Sequence, residues 1–392
     1  MASYTAPSRF PLWIVAGWAT IFLVGTDLFV VSPFLPLIGR DIGRSPQSLT
    51  VLVSVFSLVY AVACPVQGRI AEWFGPRAVL VFGVCALAIA NAYTALAPDF
   101  GNLVASRVMA GFAAASISPM IYTLTASSAE PARRASRLAL VNSGLIISLI
   151  LGAPVGLLFG SMTEWRWVFL GLAGLMTIMI PVNALIWART ATPKPQGEAV
   201  HAERLIDAWP FIAGMIAWAG SVYMTYTLLG TALSTRLHLG VWATSLALSI
   251  FGVGATVGVL SAGRLADRIG APRVIRISFI AMAVAFCLSA MAFQSGLVAL
   301  FVPGLFLAAL SAYGFFPAIQ ATAANTFTAR RPTVLGLMSS ALYVGITLGS
   351  SIGGTIFDRF GMTQVLIASS VMALAGSAFT TRLAAKGTAH AP

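Results

Sequence analysis

Two residues carry a full charge inside otherwise apolar stretches: Asp27 in TIFLVGTDLFVVSPF and Arg107 in LVASRVMAGFAAA. If those stretches cross a bilayer, each charge costs roughly 2.5–3.5 kcal/mol on the lenient insertion scale, so it is kept by pairing, hydration or function. Burial disfavours the charged form of a carboxylate, and a nearby guanidinium favours it. An acid whose surroundings alternate between two conformations can therefore take up a proton in one and release it in the other. Asp27 is the candidate proton-coupling acid, with Arg107 tuning it; a static structural pair is the alternative. Counted from the ends of their apolar runs at about 1.5 Å per residue, the two depths differ by roughly 9 Å. A long arginine side chain nearly closes such a gap, with water completing it.

The elements that must hold these charges are set by composition. Hydrophobic residues make up 58% of the 392 and charged residues 9%, against about 45–50% and 25% in soluble domains. Lipid must replace water around most of the exterior. Runs long enough to span, about 20 residues, lie at 12–38, 48–71, 78–97, 102–126, 136–160 and 166–188, then at 209–235, 242–265, 274–293, 297–325, 332–357 and 362–381. The fold class is thus an all-α membrane protein of twelve helices. Between the sets, RTATPKPQGEAVHAERLID is polar and Pro-containing. The expected organisation is a six-helix bundle over 1–188, a linker over 189–208 and a second bundle over 209–392. The run from Leu12 is too long for a removable signal.

Basic residues gather on alternate connections. One side collects Arg69 and Arg77, Arg133, Arg134 and Arg137, the linker residues, Arg264, Arg268, Arg273 and Arg276, and Arg330 and Arg331. The other holds only Arg40, Arg44, Arg166, Arg236 and Arg359. This bias places both termini in the cytoplasm; the expected location is the cell inner (plasma) membrane. The net charge of +12 belongs to that pattern, so no nucleic-acid partner is expected. Cys64, Cys85 and Cys287 read as small buried hydrophobes, and the histidines (His201, His238, His390) lie outside the spans. No metal site, cofactor or enzymatic cluster is indicated.

The two sets repeat. Gly68-Arg69-Ile70-Ala71-Glu72-Trp73-Phe74-Gly75-Pro76-Arg77 follows the second run, and Gly263-Arg264-Leu265-Ala266-Asp267-Arg268-Ile269-Gly270-Ala271-Pro272-Arg273 follows the eighth. The first glycine of each would let neighbouring helices approach, and the second would permit a tight reversal. The acid can face a helix N-terminus or pair with a following arginine. Such contacts would form in one state and break in another, a conformational gate; an ordinary solvated turn is the alternative. Duplicated halves are how many carriers build alternating access around a central site.

The repeated turn resembles the signature loop of the major facilitator superfamily, more closely in the second copy; in the first, Glu72 and Trp73 stand where Asp and Arg are usual. Arg107 with Gly111 is similar to that family's Arg-x-x-x-Gly motif, and Trp165-Arg166-Trp167-Val168-Phe169 to its Trp-Arg-x-x-Phe motif. Gly144, Gly152, Pro154 and Gly156 resemble the antiporter motif of its drug and metabolite exporters. Small residues at 144, 152, 153, 156 and 160 would thin one helix face, with Pro154 bending the helix by removing one backbone bond. Gly345, Gly349, Gly353 and Gly354 are the counterpart in the eleventh run.

This resemblance implies proton-coupled export of small organic molecules (drugs, metabolites or sugars), driven by the proton gradient, by a monomer. Uptake of sugars or related nutrients by symport or facilitation is the alternative; a membrane sensor or membrane-embedded enzyme is a remote one. Solute-contact candidates are the polar and aromatic residues within runs: Asn142, Trp218, Tyr223, Tyr226, Tyr313, Gln320 and Tyr343. Asn91 and Trp13, near run ends, are expected to be interface anchors.

Overall fold

The computed structural model describes residues 11–45, 47–129, 134–187, 205–327 and 331–387. Among them, twelve helical spans account for nearly the whole chain. They are α1 (Leu12–Ile42), α2 (Val51–Phe74), α3 (Pro76–Leu96), α4 (Phe100–Ser128), α5 (Arg134–Ile147 and Ala153–Met162, joined by a π turn over Ser148–Gly152) and α6 (Trp165–Ile186). The second set is α7 (Trp209–Thr235), α8 (Val241–Ile269), α9 (Ala271–Gln294), α10 (Val298–Thr326), α11 (Arg331–Phe360) and α12 (Met362–Gly387). Each contains a window long and apolar enough to cross a membrane. The expected linker lies outside the described residues as far as 204, as do His201 and His390; Leu205–Ala208 form a 3-10 turn leading into α7.

Helix ends follow local chemistry. Gly43 stops α1 at φ 68°. Asp99 caps α4, one carboxylate oxygen accepting from the Asn102 N–H and the other from its side-chain amide, both at 2.9 Å. These bonds to Asn102 hold the Asp99 carboxyl below its ordinary range.

The halves share one packing scheme. α1 lies on α5 and α6, α2 on α4, and α3 on α4 and α6; likewise α7 lies on α11 and α12, α8 on α10, and α9 on α10 and α12. Close approach is made by glycine. A Cβ on Gly144 would lie 2.5 Å from the Trp18 carbonyl oxygen, and one on Gly156 2.6 Å from Val30. On the other side, Gly345 and Gly353 lean in the same way on Ile216 and Met224 of α7. Without water to drive association, such backbone contact is what holds spans together. The α1–α5 and α7–α11 pairs are therefore the tight spines of the two halves.

The expectations at Pro154, Asn91 and Cys287 need correction. Pro154 does not simply remove one bond from a bent helix; a π turn precedes it, with the Ala153 N–H reaching back to the Ser148 carbonyl. Asn91 is no interface anchor: it is fully buried and donates to the Leu87 carbonyl at 3.0 Å. Trp13 is half-buried and packs on Trp187 at 5.9 Å. Cys287 is exposed on the outside of α9 rather than buried, because its helix face has no neighbour; Cys64 and Cys85 are half-buried.

Candidate functional site

Asp27 and Arg107 meet directly. Arg107 Nη1 donates to Asp27 Oδ1 at 3.0 Å and Nη2 to Oδ2 at 3.3 Å. No bridging water is needed, so the expected offset in depth is closed by side-chain reach and helix packing alone. Both residues are sealed, at 0% and 2% exposure, and among the described residues they are the only buried charged side chains. The guanidinium also lies 4.6 Å over the Phe56 ring of α2, a cation–π contact strengthened by desolvation. A two-pronged pair of this kind satisfies both carboxylate oxygens. Arg107 Nε stays without a partner.

Beyond this pair, the second half presents aromatic surface. Phe29 of α1 stacks on Tyr223 at 6.3 Å and meets Tyr226 edge-on at 5.8 Å. Tyr226 packs on Phe251 at 5.4 Å, and Phe251 meets Tyr313 at 6.4 Å. The Tyr226 hydroxyl is buried without a partner. Tyr343 of α11 stacks on Tyr60 of α2 with centroids 3.5 Å apart, across the halves. Asn142 accepts from the Tyr122 hydroxyl at 2.7 Å, which ties α5 to α4. Trp218 is buried, donates to the Ala312 carbonyl at 2.7 Å and packs on Tyr313, Phe315 and Phe316. Its position is a packing position between α7 and α10. Gln320 is half-buried on α10. Of the expected solute contacts, Tyr223, Tyr226, Tyr313 and Tyr343 are thus gathered toward the centre, and Trp218 and Asn142 support neighbouring helices.

The repeated turns have one backbone geometry. Gly75 has φ 83° and ψ 147°, and Gly270 φ 89° and ψ 139°. Gly75 N–H bonds to the Ala71 carbonyl and Gly270 N–H to the Ala266 carbonyl, both at 2.9 Å. Positive φ is the conformation glycine alone adopts without cost. Arg273 Nη1 donates to the Ile269 carbonyl at 3.1 Å, across the second turn. Arg69, Arg77 and Arg268 are exposed. The side chains of Glu72, Arg264 and Asp267, and the surroundings of Gly263, lie outside what the structure describes. Gly68 departs from expectation, since nothing lies within 4 Å of where its Cβ would be. No close helix approach occurs at Gly68 because the halves meet at the opposite end of the bundle.

At that far end the contacts are polar and close. Ser54 of α2 shares a hydrogen bond with Ser350 at 2.7 Å and accepts another from Ser351 at 2.9 Å; Thr347 donates to the Ser54 carbonyl at 3.3 Å. On the opposite flank, Ser249 of α8 donates to the Ile150 carbonyl of α5 at 3.0 Å. Gly230 of α7 packs on Pro33 of α1. Arg166 pairs with Asp41 and donates to the Ala97 carbonyl at 3.2 Å, joining the far ends of α1, α3 and α6.

Sequence reasoning missed Phe56, Tyr60, Ser54, Ser249 and Asp41. A signal existed for two pairs. Ser54-x-Phe56 recurs as Ser249-x-Phe251 at the same offset as Gly68 and Gly263, so extending the repeat upstream of the turn would have found them.

Comparison with known proteins agrees with this architecture. The model of the Major Facilitator Superfamily matches residues 17–245 and 211–390. An uncharacterized MFS-type transporter, YceJ of Bacillus subtilis (strain 168), is 26% identical over 354 residues, covering 88% of this chain and 89% of the relative. The chloramphenicol resistance protein of Streptomyces lividans is 30% identical over 269 residues, covering 66% of this chain and 67% of its own. The inner membrane transport protein YdhP of Escherichia coli (strain K12) is 26% identical over 265 residues, covering 66% and 67%. Two halves of six spans, tied by glycine spines and matched over nearly their full length, make this chain a multi-pass membrane transporter belonging to the Major Facilitator Superfamily.

Proposed function

We propose that the protein exports small organic molecules across a bacterial inner membrane by proton-coupled alternating access, as a monomer, with the repeated turns and both termini on the cytoplasmic side. The units that rock are residues 1–188 and 209–392, joined through 189–208. The observation that carries this reading is the sealed Asp27–Arg107 pair. A proton arriving on an Asp27 oxygen removes that oxygen's negative charge, and the guanidinium is then free to turn away. In the reverse step the proton leaves and the pair closes again. Because neither charge has another buried ionic partner among the described residues, the exchange reports on this one carboxylate.

Cargo in this reading lies against Tyr223, Tyr226, Tyr313 and Tyr343, whose rings suit amphipathic organic molecules. The proton gradient is the only energy source required, and no cofactor takes part. In the conformation described, the far end is shut and cargo approaches from the cytoplasmic side. Likeness to a chloramphenicol resistance protein favours export over uptake and supplies a first compound to try. The expected outcome is chloramphenicol accumulation in everted vesicles with an acidic lumen, lost in Asp27→Asn at equal expression. Gradient-driven transport that survives Asp27→Asn would end the coupling role, and drug gain by intact cells would reverse the direction.

A further inference from the structure

Pro154 has no N–H to offer the carbonyl of Ile150, the residue four positions earlier that an α-helix would bond to it. Within a bilayer, such a carbonyl has no water to turn to. The Ser249 hydroxyl supplies the bond at 3.0 Å, from the opposite half. One turn along α8, the Ser245 hydroxyl donates to the carbonyl of Pro154 itself at 3.4 Å. On the other side of Ser249, Gly252 approaches so closely that a Cβ there would lie 2.9 Å from the Ile150 Cα. Hydroxyls and bare backbone on α8 thus cover the π turn of α5.

We propose that Ser249 is a positioning residue of the transport cycle: it donates across the halves to the Ile150 carbonyl, the acceptor that a regular α-helix would pair with residue 154, where the proline has no N–H. The proline converts an internal helix bond into a latch. The latch is satisfied with the far end closed, and parting of the halves leaves the Ile150 carbonyl short of a donor, so the closed state is favoured. On the matching flank, Ser54 meets the Ser350, Ser351 and Thr347 hydroxyls across the halves and donates to the Thr50 carbonyl within its own helix, with no proline in play. The inference takes from the proposed function only the existence of a second, far-end-open state.

The test uses spin labels at Thr163→Cys and Trp242→Cys, two exposed far-end positions on opposite halves, with Cys64, Cys85 and Cys287 replaced. Pulsed dipolar spectroscopy on the full-length protein in nanodiscs then reads the open-to-closed ratio. Ser249→Ala is expected to raise that ratio about fivefold, the scale of one net hydrogen bond, and Ser249→Thr to leave it within about twofold. In a Pro154→Ala background, alanine's N–H serves Ile150, so adding Ser249→Ala should change the ratio by less than about twofold. Equal effects in both backgrounds would reduce Ser249 to ordinary packing and overturn the inference. If Pro154→Ala does not fold, a threonine that opens the far end as much as alanine overturns it instead. Two distances that Ser249→Ala leaves unmoved refute the latch alone; a single distance at every pH and drug concentration refutes alternating access and the latch together.

Discussion

The two halves use one scaffold for different chemistry. Phe56 of α2 and Phe251 of α8 occupy matching places in the repeat, and both face the interior. Phe56 lies under the Arg107 guanidinium, whereas Phe251 lies among Tyr226 and Tyr313. The first half therefore concentrates the buried charge, and the second the aromatic surface. Helix pairing, the geometry of the turns and the glycine spines are common to both. The difference teaches that backbone packing and site chemistry are separable here: the same five helix contacts support an ion pair on one side and a wall of rings on the other.

The sharpest way to break this comparison is to remove the charge from the first half. Arg107→Met strands a sealed carboxylate and should cost about 3–5 kcal/mol of stability, read as a fall in the melting temperature of the detergent-solubilised protein. Adding Asp27→Asn should restore most of the loss, since the stranded charge is the cause. A double variant no more stable than Arg107→Met would show that the guanidinium matters for packing on Phe56 instead. A smaller effect tests what the halves share. Gly75→Ala and Gly270→Ala each force an L-residue into an extended backbone at positive φ and should each cost about 1–3 kcal/mol; clearly unequal losses would mean that the turns are alike in shape only. Smallest is Tyr226→Phe in the second half. Its buried hydroxyl has no partner, so stability should be unchanged or slightly raised while the proposed solute transport changes, measured as the concentration giving half-maximal flux.

Much of the fold was legible because membrane spans announce themselves by length and apolarity. The runs and helices agree closely, and the turn glycines at 75 and 270 behave as their spacing required. Glycine spines were legible too, since Gly144 and Gly345 sit at helical repeats. What escaped was lateral geometry. Depth counted from run ends leaves Asp27 and Arg107 apart, because helix ends in a bundle do not lie in one plane and each helix tilts as its packing dictates. The spacing of Gly68 predicts close helix packing, a property that depends on which end of the bundle is shut. Ser249 was invisible as a lone serine, since its role depends on a carbonyl on another span whose identity only the folded chain provides. Asn91, at a run end, looked interfacial until packing buried it.

The direct contact between Asp27 and Arg107 has an electrical consequence. As an ion pair the centre of the protein is neutral, and the membrane voltage exerts little net force on it. With a proton on Asp27 the same centre carries one positive charge, that of Arg107. Moving an elementary charge across the full field is worth about 2.3 kcal/mol per 100 mV, and a fraction of that applies to any shift along the membrane normal. In the proposed cycle, the protonated and unprotonated forms would thus differ in their response to voltage. Transport by the proposed proton-coupled cycle should therefore also depend on membrane potential when the pH on the two sides is equal.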